Sequence, residues 1–226
     1  MSAPRIGFIG FGEAASAIAK GLRSEGVGNI AAFDVQPIGD RAAGVDVVDT
    51  PAELAARADV IFSAVVAKAA VAAAESVASD LAARHLYVDL NSASPAVKQD
   101  VARIVAPSGA GFVEASIMSA VPPLGHRVPM LLGGTGASRF AELMRPLGMQ
   151  LEVLGEDVGP ASAIKMFRSV MIKGLEALVL ECRQGARLFD AEWRKRRRLS
   201  KDSGWSPSWL KRRRSGFLPA TSEIHG

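Results

Sequence analysis

Gly10, Gly12 and Ala15 stand as Gly-x-Gly-x-x-Ala in "RIGFIGFGEAA", directly after a β-branched and aromatic run and at the mouth of an Ala-rich stretch. At a strand-to-helix junction this spacing lets the backbone of Gly10, Phe11, Gly12, Glu13, Ala14 and Ala15 approach a pyrophosphate, whose charge the helix N-terminus favours. About twenty residues on, at the end of the second strand, Asp34 is placed to hydrogen-bond a ribose 2′-hydroxyl. No Arg follows it closely, and a carboxylate repels a 2′-phosphate, so NAD is expected, with NADP the alternative. The plainer reading is a tight turn with Asp34 capping a loop, and the strand-then-helix setting weighs against it.

Lys165 is the second residue with chemistry in its surroundings. Ala161, Ala163 and Ile164 precede it and Met166 and Phe167 follow. A lysine on a helix is usually a surface residue, but an apolar setting suits one that exchanges protons near neutral pH. Two other stretches have structural readings of their own. Ser94-Pro95 makes a good N-cap and first helical residue, and "IMSAVPPLGHRVPM" reads as a proline turn between two strands with His126 solvated. No metal site is read from the sequence.

Short β-branched runs alternating with Ala-rich helical stretches must position these residues, the pattern of parallel strands joined by crossover helices. Strands are expected near Arg5-Ile9, Ile30-Asp34, Val45-Val48, Val60-Val65, Leu86-Leu90, Phe112-Ser116, Met130-Gly133 and Leu151-Leu154. Thr50-Pro51-Ala52-Glu53 marks one helix start, with an N-cap hydroxyl, a proline at the first helical position and a glutamate placed to close a capping box. The fold class is α/β: a Rossmann-like doubly wound sheet at 1–157, then the start of an all-α domain in a long helix at 158–188, then a basic irregular tail at 189–226.

At 226 residues and 49% hydrophobic the chain can bury one or two cores. It has no apolar run long enough to span a membrane, and no signal peptide is read. A single cysteine, Cys182, fits a reducing cytoplasm. The net charge of +4 divides unevenly: the tail holds ten Lys/Arg against four Asp/Glu, leaving the body mildly acidic. Any argument from charge to nucleic acid therefore concerns the tail alone.

From about residue 4 to about residue 188 the chain resembles the β-hydroxyacid dehydrogenase family, which includes 3-hydroxyisobutyrate and 6-phosphogluconate dehydrogenases. Four segments carry the resemblance. Besides the glycine motif they are "VDLNSASP" (88–95), similar to the family's Asp-x-Ser-Thr-x-x-Pro; "GFVEASIMSAVPPLGHRVPMLLGG" (111–134), in the place of its Asp-Ala-Pro-Val-Ser-Gly-Gly run; and "GPASAIKMFRSVMIKG" (159–174), similar to the entry of its lysine-bearing interdomain helix. The resemblance implies hydride transfer between nicotinamide and a small hydroxy acid, with Lys165 as the catalytic acid/base. It places Val65, Val66 and Ser92 at the cofactor and Met118, Ser119 and Ser169 at the substrate. Met118 stands where the family has serine, Ser119-Ala120 where it has glycines, and Ser169, preceded by Arg168, where it has asparagine. These changes resemble a branch of phosphogluconate-dehydrogenase-like oxidoreductases and leave the hydroxy acid unnamed.

Two other readings stand beside this one. The opening segment also resembles pyrroline-5-carboxylate reductases, which reduce an imine, although "VDLNSASP" and Lys165 count against them. The tail, which carries Trp193, Trp205 and Trp209 among its arginine blocks, could contact nucleic acid through phosphates and stacking. The family's lysine helix leads into a helical domain of about a hundred residues that closes over substrate and makes a homodimer. Here only 38 residues follow Leu188, without helical periodicity. Alanine codons GCG read one base late give arginine, and CTG before a G gives tryptophan. The tail is therefore expected to be that domain in a shifted frame, which would leave this chain with poor turnover.

Overall fold

The computed structural model describes residues 3–188; the readings made for the tail lie outside the described residues. Eight strands form one sheet: β1 (Ile6–Ile9), β2 (Ile30–Phe33), β3 (Asp46–Val47), β4 (Val60–Ser63), β5 (Leu86–Asp89), β6 (Gly111–Ile117), β7 (Met130–Gly133) and β8 (Leu151–Val153). Among the described residues six helices accompany them: α1 (Glu13–Ser24), α2 (Pro51–Arg57), α3 (Ala70–Glu75), α4 (Pro95–Val105), α5 (Ala137–Met144) and α6 (Pro160–Leu188). The strand order is β3-β2-β1-β4-β5-β6-β7-β8, a doubly wound sheet whose direction of winding reverses at β1 and β4.

Alternation along the central strands builds two cores. Ile6, Phe8, Val60, Phe62, Leu86 and Val88 turn to one face, where α1 and α5 cover them with Ile18, Leu22, Phe140 and Met144. Ile9, Ile61 and Tyr87 turn to the other, under Leu54 of α2, Ala70 and Ala74 of α3, and Val101 and Val105 of α4. Both faces of a parallel sheet are buried in this way, which is why its strands read as continuous apolar runs.

β1 to β6 are parallel, but β7 runs antiparallel to β6, with Glu114 opposite Gly133 and Ile117 opposite Met130. The parallel pattern expected from the alternation of strands and helices holds for β1 to β6, and the reversal falls at the proline turn read between two strands. A parallel return needs a crossover, usually a helix, and the connection 118–129 holds only a single tight 3-10 turn at Gly125–Arg127. β8 is parallel to β7 and therefore also reversed relative to β1.

The expected helix start at Thr50 is present, and Thr50 Oγ1 accepts from the Glu53 N–H at 3.1 Å. The return bond differs: the Glu53 carboxylate takes the N–H of Asp49 and pairs with Arg57 at 2.6 Å. The chain divides into two compact units after Val170. The described part of the second is the remainder of α6, where Leu175, Leu178, Val179 and Leu180 are exposed. Among the described residues no helix is long and apolar enough to cross a membrane.

Candidate active site

The glycine motif forms the tight turn expected of it. Gly10 has φ +81°, and a Cβ there would meet the Ala64 carbonyl oxygen and Val65 Cγ1, each at 2.6 Å. At Gly12 the space a Cβ would fill is open, and this glycine is the N-cap of α1 without any capping side chain. An uncapped helix N-terminus with free space before it fits a pyrophosphate. Ala14 lies at this mouth, the Glu13 side chain is exposed, and Ala15 is buried against the sheet, where its small size permits close helix packing.

Phe11 is placed differently from its neighbours. Its ring is wholly buried, edge-on to Phe8, and its N–H donates to Asp34 Oδ2 at 2.7 Å. Asp34 Oδ1 accepts the Gln36 N–H at 2.9 Å. Asp34 thus fixes the turn while standing half-buried at the end of β2. Each carboxylate oxygen keeps a lone pair for a ribose hydroxyl.

Beside the turn, a cleft of about 600 Å³ opens at the C-terminal ends of the strands, where ligands of doubly wound sheets bind. Val65 and Val66 after β4, Ser92 after β5, and Met118 and Ser119 after β6 line it, with Lys165, Arg168 and Ser169 of α6. Among the described residues no Asp or Glu lines it, and two cations do. Lys165 Nζ donates to Ser92 Oγ at 2.7 Å. Arg168 donates to the Met118 carbonyl oxygen, and Ser169 Oγ donates to the Lys165 carbonyl oxygen at 2.8 Å. Burial, and then the charge of Lys98, push the Lys165 ammonium below the ordinary lysine range.

Ser94 does cap α4, accepting the Val97 N–H at 3.4 Å. A helix start and a site loop coexist in "NSASP", with Ser92 two residues before the cap. His126 corrects its expectation: it is only 3% exposed. Its ring packs on Gly21 of α1 so closely that a methyl group there would overlap it, and Nε2 lies 3.4 Å from Glu25 Oε1. It does not line the cleft.

Four functional neighbours escaped the sequence reading. Asn91, nearly buried, accepts the Val65 N–H at 2.7 Å and donates to Ser63 Oγ at 3.0 Å. Lys98 and Asp89 are wholly buried and paired at 3.1 Å. Glu114, also wholly buried, accepts the N–H groups of Gly159 at 2.6 Å and Ser162 at 2.8 Å, so a carboxylate from β6 caps α6 one turn before Lys165. Lys98 had a signal, since it shares the buried face of α4 with Val101 and Val105.

Residues 5–147 match the family of the NAD binding domain of 6-phosphogluconate dehydrogenase. The chain belongs to that family. Its domain binds a nicotinamide dinucleotide, and the fold is that of the related hydroxyacid dehydrogenases. The chain is similar to the crystal structure of a conserved hypothetical protein from Sinorhizobium meliloti 1021, with 39% identity, a TM-score of 0.76, and coverage of 93% of this chain and 73% of that one. It is 29% identical to human mitochondrial 3-hydroxyisobutyrate dehydrogenase over 196 residues, 80% of this chain but 57% of that enzyme's length. The V8 variant of an imine reductase from Myxococcus stipitatus, in complex with NAD+, shares the fold, at 21% identity and a TM-score of 0.76 over all of this chain and 81% of that one.

Proposed function

We propose that the protein is an NAD-dependent dehydrogenase of a small hydroxy acid, with Lys165 as its general acid/base. The single observation that carries this is the Lys165 ammonium on Ser92 at 2.7 Å, inside a cleft whose lining, among the described residues, bears positive charge and no carboxylate. When bound, the nicotinamide supplies the acceptor of the hydride from the carbinol carbon.

The chain's own residues supply the rest. In the oxidising direction neutral Lys165 takes the hydroxyl proton as the C–O bond becomes a carbonyl; in the reducing direction its ammonium returns that proton. Burial and the charge of Lys98 enlarge the neutral fraction. Ser92 holds Lys165 at the nicotinamide end. Arg168 and Ser119, on the same wall, suit the substrate carboxylate, and the Asp34 carboxylate favours NAD through the ribose 2′-hydroxyl.

The test is absorbance at the reduced nicotinamide band with NAD+ and 3-hydroxyisobutyrate or 3-hydroxypropionate. Reduction of NAD+ that depends on Lys165 is expected. Turnover of 2-methyl-1-pyrroline with reduced cofactor, and of no hydroxy acid, would replace this reading with imine reduction, whose enzymes share the fold.

A further inference from the structure

Lys98 is wholly buried, one turn into α4, on the face that carries Val101 and Val105 into the core. An apolar side chain would fill that place without stripping an ammonium of water, so the charge has a use other than packing. Its Nζ donates to the Asp89 carbonyl oxygen at 2.8 Å and lies 3.1 Å from Asp89 Oδ1. The same Oδ1 accepts the Asn91 N–H at 2.9 Å, while Asp89 Oδ2, equally buried, has no hydrogen-bond partner.

From Asp89 the connections lead into the cleft. The Asn91 side chain ties the Val65 N–H to Ser63 Oγ, joining the ends of β4 and β5. The next residue is Ser92, which receives Lys165. On the other side of Lys98, Gln99 donates to the Val158 carbonyl oxygen at 3.1 Å, just before the α6 entry that Glu114 caps. Both supports of the Lys165–Ser92 pair therefore meet at the start of α4.

We infer that Lys98 is a positioning residue for the proton-transferring lysine: its buried ammonium holds Asp89–Ser92 in the arrangement that lets Ser92 receive Lys165. The inference rests on the reading of Lys165 given above. The charge of Lys98 acts in the same direction, because a second cation beside it is disfavoured at Lys165. Arg168 on the same helix is the other cation lining the cleft. The carboxylates about Lys98 are Asp89 from β5 and Glu114 from β6, both of which favour its own charge against burial, and the buried Tyr87 faces Asp89.

The experiment labels the full chain with limiting acetic anhydride across a pH series, with Nα-acetyl-lysine amide added as internal standard, and reads Lys165 by mass spectrometry. In the wild type Lys165 should titrate at lower pH than the standard. The double substitution Lys98→Met and Asp89→Asn removes both members of the buried ion pair and should move the Lys165 midpoint toward that of the standard, whereas Lys98→Arg should keep it near the wild-type position. NADH binding by each variant confirms the fold. An unmoved Lys165 midpoint in a double variant that still binds NADH would overturn the inference, as would equal midpoints for Lys165 and the standard in the wild type. The labelling needs no substrate, so a failure of hydride transfer would remove the dehydrogenase reading without deciding this result.

Discussion

Lys165 Nζ lies 2.7 Å from Ser92 Oγ, and so a residue of the long helix and one of the loop after β5 close the two sides of a single cleft. With Lys165 as the proposed acid/base, Lys165→Ala should lower turnover roughly 10² to 10⁴-fold while leaving NADH affinity nearly unchanged, because the amine would act on the substrate and not on the dinucleotide. Steady-state rates and a fluorescence titration separate the two. Because the folded chain holds Lys165 below the ordinary lysine range, the oxidation rate should rise with pH and level off before that range is reached. The reduction rate should fall over the same interval, since it needs the protonated form.

Asp34 meets the Gly-rich turn through Phe11, and with its carboxylate as the proposed partner of the ribose 2′-hydroxyl NADH should bind more tightly than NADPH. Asp34→Ser should narrow or abolish that preference by removing the repulsion of a 2′-phosphate. Equal affinities of the wild-type chain for both cofactors, read from quenching or energy transfer, would contradict the assignment.

Arg168 has no carboxylate partner among the described residues and lines the cleft beside Ser119. A charge-assisted hydrogen bond to a carboxylate contributes about 1.5–3 kcal/mol, so Arg168→Met should raise KM about 10- to 150-fold for a hydroxy acid. Its methyl ester should lose little on the same substitution. An equal effect on acid and ester would assign Arg168 to the Met118 loop alone.

His126 is buried between α1 and the segment around Gly148, and burial pushes its pKa below 6.5 despite Glu25. The folded chain resists a proton that the unfolded chain accepts, so this contribution to stability is complete above the unfolded pKa and is lost as pH falls below it. The difference in melting temperature between wild type and His126→Gln should therefore shrink from about pH 7.5 to about pH 5.5. A difference independent of pH would show that the histidine takes up its proton equally in the folded and the unfolded chain, and would contradict the lowered value.

The strands were legible because Ile, Val, Phe and Leu recur with the alternation of a sheet buried on both faces, and the glycine motif because only one backbone geometry suits it. Strand direction was not legible: "MLLGG" reads alike in either sense, and only the lack of a helix between Ile117 and Met130 hinted at reversal. A lone lysine or glutamate is read as surface by default, which hid Lys98 and Glu114. Their partners, Asp89 and the Gly159 N–H, lie 9 and 45 residues away in sequence. His126 was misread for the same reason, since the groove that receives it exists only because Gly21 lacks a side chain more than a hundred residues earlier.

The reversal at β7 shapes what can change in this molecule. The Met118 N–H donates to the Pro129 carbonyl oxygen at 2.9 Å, closing the neck of the 118–129 loop, and Gly125 and His126 fasten its far side to α1. Between these two fastenings Ser119, Ala120, Pro122 and Pro123 stand exposed around the buried Val121 and form an interchangeable cassette. New residues there can reshape one wall of the cleft while the sheet register and the dinucleotide turn stay as they are. A lineage carrying this loop can diversify in four positions without refolding the rest.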